Sequence, residues 1–139
     1  METITVPGST ESLSRIRAYV GQAAAEAGVD RKHAYRLQLA VDEIATNVVN
    51  HGYPEAGRHG DLVVSAASHG GDFTITLEDS AVPFDPRSVP RPSYLDLPLD
   101  KRPMGGLGIY LAMLCVDLFE YEYVNDRNRS KFTVQRDVH

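Results

Sequence analysis

Three polar residues spaced four apart, Glu43, Asn47 and His51, break an otherwise apolar helical pattern, and they constrain this chain more than any other feature. Steps of four place side chains on one face of a helix. Leu37, Val41, Ile44 and Val48 form the apolar stripe of the same helix, and the polar row lies about a quarter turn away from it. A row so placed can line a cleft, although a solvated helix edge carries the same spacing. Its content favours the cleft. Asn costs up to about 0.7 kcal/mol relative to Ala inside a helix, yet Asn47 and Asn50 stand where Glu, Lys or Gln would serve a plain polar face better. A carboxylate, an amide and an imidazole in one line can take a proton, hold a hard cation and touch an anion.

The surroundings are those of an ordinary globular chain. Its 139 residues suffice for one domain, 1–139, with a sizeable core. A net charge of −5, from 14 basic and 19 acidic residues, argues against nucleic-acid binding and suits a small ligand or a basic protein partner. The single cysteine, Cys115, lies in an apolar run, is expected to pack as a small core residue, and fits a reducing compartment. No leader peptide is evident, and no apolar run nears the roughly 18 residues of a membrane span. The expectation is a cytoplasmic protein with no membrane contact.

The periodicities set an order of elements. Thr3 to Val6 alternates as a short strand, stopped by Pro7-Gly8. A helix from about Glu11 to Ala27 is expected to take its cap from Ser9 or Thr10. Asp30 caps a second helix, about Arg31 to Asn50, which Gly52 and Pro54 end. Leu62–Ser68 and Asp72–Glu78 form a hairpin across Gly70-Gly71, with Phe73, Ile75 and Leu77 on one side. Ser80 to Met104 has no usable period and holds six of the eight prolines, as functional lids and disordered loops do. A short apolar helix, Ile109 to Val116, precedes a closing hairpin of Phe119–Val124 and Lys131–Arg136 around Asn125 to Arg129. Grouped helices predict a two-layer α/β sandwich, with helices covering one face of a mixed, mostly antiparallel sheet.

Two downstream elements carry chemistry. Asp79 closes a strand, where a carboxylate can accept hydrogen bonds from a ligand's amino group; a turn aspartate is the plainer reading. Asp85 before Pro86 reads as a turn former. Gly105-Gly106-Leu107-Gly108 precedes a helix. Glycines there let a backbone approach a ligand, and the first amides favour an anion; a hinge is the alternative. The run is neither a P-loop nor a Rossmann fingerprint.

Taken together, the polar row, Asp79 about 36 residues after Glu43, and the glycines about 26 further on resemble a known set. They are similar to the motifs of the ATP-binding (Bergerat-fold) domain shared by DNA gyrase, heat-shock chaperones, histidine kinases and mismatch-repair ATPases. Glu43-Asn47-His51 resembles the N box of that family, Asp79 its first glycine box and Gly105 to Gly108 its second. The short length, His51 and the Pro83-Phe84-Asp85-Pro86 run resemble the bacterial anti-sigma factor serine kinases. The resemblance implies that Glu43 is the general base and Asn47 the magnesium ligand. It implies that Asp79 reads the adenine amino group and that Gly105, Gly106, Leu107 and Gly108 approach the phosphates. His51 either touches phosphate or only ends its helix, and Thr133 would lie under the adenine. Phosphoryl transfer needs mainly positioning and charge neutralisation, which such a set can supply.

The chain departs from the family pattern Asp-x-Gly, having Asp79-Ser80-Ala81. A positive φ at Ala81 would cost about 1 kcal/mol or more relative to glycine, so either the backbone is relaxed there or nucleotide affinity is reduced. Among basic residues of the long loop, Lys101 or Arg102 could reach a phosphate, while Arg87 and Arg91 read as solvated. The resemblance further implies ATP and Mg2+ as cofactors and a small antagonist protein carrying a phosphorylatable serine or threonine as substrate. It also implies a sigma factor and a phosphatase as further partners, and a homodimer. The alternative reading is a non-catalytic, ATP-gated protein-binding switch. A histidine kinase is not expected, since the 139 residues offer no room for a separate pair of dimerisation helices, nor is a metalloprotein, since His51, His59 and His69 fit no zinc spacing.

Overall fold

The computed structural model of the chain describes residues 2–88 and 107–136. Alternation builds its sheet. In β3 (Asp72–Asp79) the side chains of Phe73, Ile75, Leu77 and Asp79 point into the core, and Thr74, Thr76 and Glu78 are half-buried on the other face. β2 (Asp61–His69) pairs with it in a register running from Leu62↔Asp79 to His69↔Asp72. The connecting turn uses Gly70 at φ +57°, a conformation that favours glycine. On its other side β3 pairs with β5 (Arg127–Gln135), placing Asp79 opposite Asn128 and Leu77 opposite Ser130. β4 (Leu118–Val124) and β1 (Ile4–Pro7) form the two edges, in the order β1-β2-β3-β5-β4. The sheet, expected from the sequence to be mostly antiparallel, is antiparallel at every described pair.

Helices cover one face of this sheet, as expected. α1 (Ser12–Glu26) and α2 (Arg31–Asn47) pack on each other, and α4 (Leu107–Cys115) packs along α2. Ile16 and Val20 of α1 and Leu37, Val41 and Ile44 of α2 are buried together with Leu62, Val64, Ile75, Leu77, Phe132 and Val134 of the sheet. Phe119 meets Phe132 edge to face at 5.2 Å between ring centroids. Cys115 is partly buried against this core.

Three local expectations change. Asp30 caps α2 through the His33 amide, but Glu11 precedes α1 without a side-chain cap. The carbonyls of Ser9 and Thr10, rather than their hydroxyls, accept from the amides of Ser12 and Leu13. The second helix does not stop at Gly52. It widens into a π turn, Val48–Gly52, whose following amide on Tyr53 reaches back to the Val48 carbonyl, and then continues as α3 (Tyr53–Ala56). Pro54 is the second residue of α3, directly after the π turn. The terminator is Gly57, at φ +68°. Finally, the closing hairpin turns at Asn125-Asp126, with φ of +54° and +60°, so β5 begins at Arg127 rather than Lys131. Two successive positive φ values make the tight turn whose twist matches its strands.

α3 places Tyr53 under the site. Its ring is buried, its hydroxyl donates to the Asp61 carbonyl, and the Ser80 amide donates to that hydroxyl at 3.0 Å. Gly8 and Gly60 flank the ring so closely that a Cβ at Gly60 would overlap it. Gly60→Ala is therefore expected to lower stability by about 1–3 kcal/mol, read as a lower urea midpoint. A midpoint equal to wild type would refute the tight seating of Tyr53.

Candidate functional site

The inner face of the sheet changes character along its length. From one end, β5 presents Val134, Phe132, Ser130 and Asn128 inward, and β3 presents Phe73, Ile75, Leu77 and Asp79 beside them. The first residues of each series are apolar and the last are polar. At that polar end the sheet faces the end of α2 and the π turn. Asp79, Asn128, Ser130 and Ala81 line a narrow cleft with Ile44, Asn47, Val48 and Gly52.

Asp79 is buried, and burial, its largest influence, pushes its carboxyl above the usual aspartate range. Three groups oppose this shift: the Asn128 amide, the Ala81 N–H and the Arg127 guanidinium. Asn128 Nδ2 donates to Oδ1 at 2.9 Å and the Ala81 amide donates to the same oxygen at 3.0 Å. Oδ2 makes no hydrogen bond among the described residues. It is therefore the carboxylate oxygen that could still accept from an N–H donor.

On the helix side, Glu43, Asn47 and His51 do share one surface. They line a second cavity, of about 150 Å3, with Thr46, Asn50, Gly108 and Ile109. His51 does not end its helix; it sits in the π turn at the cavity rim. Gly108, in the first turn of α4, lies against the Glu43 carboxylate, where a Cβ would overlap Oε2. The polar row and Gly108 therefore meet in space. Asn47 lines both cavities and so stands between the Asp79 end and the Glu43 end. Gly105 and Gly106 lie outside the described residues, as do Arg91, Lys101 and Arg102. Leu107 opens α4. Arg87, expected to be solvated, is largely exposed and pairs with Asp85 at 2.9 Å, holding that carboxyl below the usual range.

Thr133 is the residue that the structure does not bring to the site. It pairs with Thr74, hydroxyl to hydroxyl at 2.8 Å, on the sheet face turned away from the helices. Parity decides this: directly opposite residues share a face, and Thr133 is an odd step from Phe132. Ser130 and Asn128, which sequence reading placed at a strand margin and in a turn, occupy the inward positions instead. Counting back by two from buried Phe132 would have found both. Ala81 resolves its own question. The only non-glycine residues with positive φ among those described are Asn125 and Asp126, so Ala81 is unstrained. Its methyl abuts Gly52, where an added Cβ would come within 3.0 Å.

The chemistry of these side chains, though not the volume of the cleft, suits an amino-bearing base and a divalent cation. Oδ2 of Asp79 suits an exocyclic amino group, the Asn47 amide oxygen suits a hard cation, and Glu43, unpaired among the described residues, adds a carboxylate in the same cavity. The cleft at Asp79 measures about 20 Å3, room for about one water. A purine base is larger than this cleft, whose wall includes Val82 and Phe84.

Because the folded-state pKa of Asp79 is raised, the folded protein binds this proton more readily than the unfolded chain. Its contribution to stability therefore falls as pH rises from about 4 through the raised value. Binding of an amino group to Oδ2 follows the opposite trend, since it needs the ionised form. Asp79→Asn keeps an oxygen to accept from Asn128 and Ala81. It is expected to melt above wild type near pH 7, with the gap closing towards about pH 4, and to bind ATP more weakly in calorimetry. A gap that widens on acidification would refute the assigned shift.

Known proteins resemble this chain in sequence and in fold. The family model described as "Histidine kinase-like ATPase domain" matches residues 6–134. Proteins named "Serine-protein kinase RsbW" from Bacillus thuringiensis and Bacillus cereus are 26% and 27% identical over 115 residues, covering 81% of this chain and 71% of theirs. Among solved structures, the RsbU and RsbW domains of a Mycobacterium tuberculosis protein superpose with a TM-score of 0.65 at 19% identity. That match covers 98% of this chain and 33% of the other. The histidine kinase domain of a blue-light activated kinase from Erythrobacter litoralis gives a TM-score of 0.53 at 16% identity, over 91% of this chain and 60% of the other. At these identities the two structures speak to the fold alone. With an antiparallel sheet covered on one face, an inward carboxylate at the end of β3, and a family match over most of its length, the chain belongs to the histidine kinase-like ATPase domain family.

Proposed function

We propose that this protein is an ATP-dependent serine/threonine protein kinase of the anti-sigma type, which phosphorylates a small antagonist protein and regulates a sigma factor by partner switching. The observation that carries the reading is the position of Asn47. It lines the Asp79 cleft on one side, and on the other it shares a cavity with Glu43 and Gly108. A nucleotide with its base at Asp79 would run its phosphates past Asn47 towards Glu43, where a substrate hydroxyl would need a base. The relatives named as serine-protein kinases support the same reaction class.

In this reading Asp79 accepts from the base amino group and Asn47 helps hold Mg2+, which supplies charge neutralisation at the phosphates when bound. Glu43 takes the proton of the attacking hydroxyl or orients it. Gly108, with Gly105, Gly106 and Leu107, lets the backbone come close to the phosphates. His51 lines the same cavity and would contact a phosphate there. A sigma factor, a phosphatase and a second copy of the chain are the further partners this reading brings. The lone cysteine suits the reducing cytoplasm as its site of action.

Incubation with labelled ATP, magnesium and a candidate antagonist is expected to label the antagonist. Glu43→Ala is expected to lower the rate by roughly 100-fold or more while ATP still binds. Tight ATP binding with no label from either protein would favour the ATP-gated binding switch instead. Asn47→Ala is expected to remove the magnesium dependence of ATP binding in calorimetry, and a retained dependence would count against its role. Among the described residues, the three atoms nearest a Cβ added at Gly108 all belong to the flexible tip of Glu43. Gly108→Ala is therefore expected to keep the melting temperature and lose transfer; unchanged transfer would separate Gly108 from the site.

A further inference from the structure

We infer that Asn128 is the positioning residue that makes Asp79 a selective reader of an amino-bearing purine, by tying one carboxylate oxygen and the loop that follows it to a single side-chain amide. The inference rests on the nucleotide reading above and deepens it. Asn128 is buried at the second inward position before Phe132. Its Nδ2 faces three oxygens: Asp79 Oδ1 at 2.9 Å, the Val82 carbonyl at 3.1 Å and the Ala81 carbonyl at 3.4 Å. Its Oδ1 faces two donors, the Phe84 amide at 3.0 Å and the Tyr121 hydroxyl.

These partners fix the orientation of the amide. Turned over, it would set an oxygen against three oxygens and an NH2 against two donors, so only one orientation satisfies the network. That orientation has two effects. It occupies Oδ1 of Asp79 with a donor, so the carboxylate cannot rotate without breaking a buried bond, and Oδ2 is left as the single acceptor for a ligand. It also ties Ala81, Val82 and Phe84, three residues of the cleft wall, to the same amide. The carboxylate and the wall that confines the base are therefore positioned together. Unstrained Ala81 is consistent with a loop shaped by this side chain rather than by a left-handed glycine.

A residue that only stabilised the fold would change the affinity of all nucleotides alike. A residue that aims Asp79 changes the ratio between ATP and purine riboside triphosphate, which lacks only the 6-amino group. Calorimetry on the whole chain with magnesium is expected to give wild type a preference for ATP of roughly tenfold to a hundredfold, the range for a hydrogen bond to a charged group. Asn128→Ala is expected to bring that ratio within about threefold, and isosteric Asn128→Asp, which places an oxygen against Oδ1, to do the same. Equal loss of both affinities, with the ratio kept, would overturn the inference and leave the nucleotide reading standing. If neither variant folds cooperatively, Tyr121→Phe decides: it removes one donor to Asn128 at a half-buried position. A lowered ratio there supports the inference, and an unchanged ratio overturns it. A wild type that makes no distinction between the two nucleotides removes the assigned role of Asp79, and this inference with it.

Discussion

A carboxylate placed at an inward position of a sheet cannot stay charged without donors, and the site of this protein is organised around that constraint. Asp79 continues the series Phe73, Ile75, Leu77 into the core. Alone in an apolar layer an ionised aspartate would carry a desolvation penalty of several kcal/mol. Here the neighbouring strand supplies Asn128 directly opposite, and the chain after β3 folds back so that the Ala81 amide reaches the same oxygen. The polar end of the sheet is thus assembled from the pairing that forms the core, continued past the point where apolar side chains stop.

The helix side meets it through a change of helical pitch. Up to Asn47, α2 keeps its apolar stripe on the sheet and its polar row at the edge. The π turn that follows widens the helix where Gly52 approaches Ala81. Such turns are often found beside functional sites. Here the π turn carries His51 at the rim of one cavity and Gly52 in the wall of the other. Beyond it, Tyr53 anchors both the start of β2 and the residue after Asp79. The two walls of the cleft are consequently held by one short stretch, Asn47 to Tyr53, so a disturbance of that stretch reaches both.

Much of this was legible in the chain. Period-two alternation gave β2 and β3, period 3.6 gave α1 and α2, and Asp30 gave the start of α2. The juxtaposition of Glu43, Asn47 and Gly108 followed from motif spacing and family resemblance, and the structure brings these residues to one cavity. The errors lie where local signals compete with longer-range pairing. Gly52 and Pro54 look like a helix stop, but packing of Tyr53 against Gly8 and Gly60 carries the helix through. Asn125 to Arg129 reads as one polar turn, but a two-residue turn suffices, and the strand takes Asn128.

The sequence by itself determined the elements, the apolar faces and the chemical inventory of the site, because periodicity and residue type act over a few neighbours. Only the tertiary structure decided which polar residues meet. Register is a two-valued choice: one step along β5 moves a side chain from the cleft to the opposite face, which is why Thr133 lies outside the site while Asn128 and Ser130 lie in it. The match of Asn128 to Asp79, across 49 positions of chain, follows from strand pairing, which no local pattern encodes.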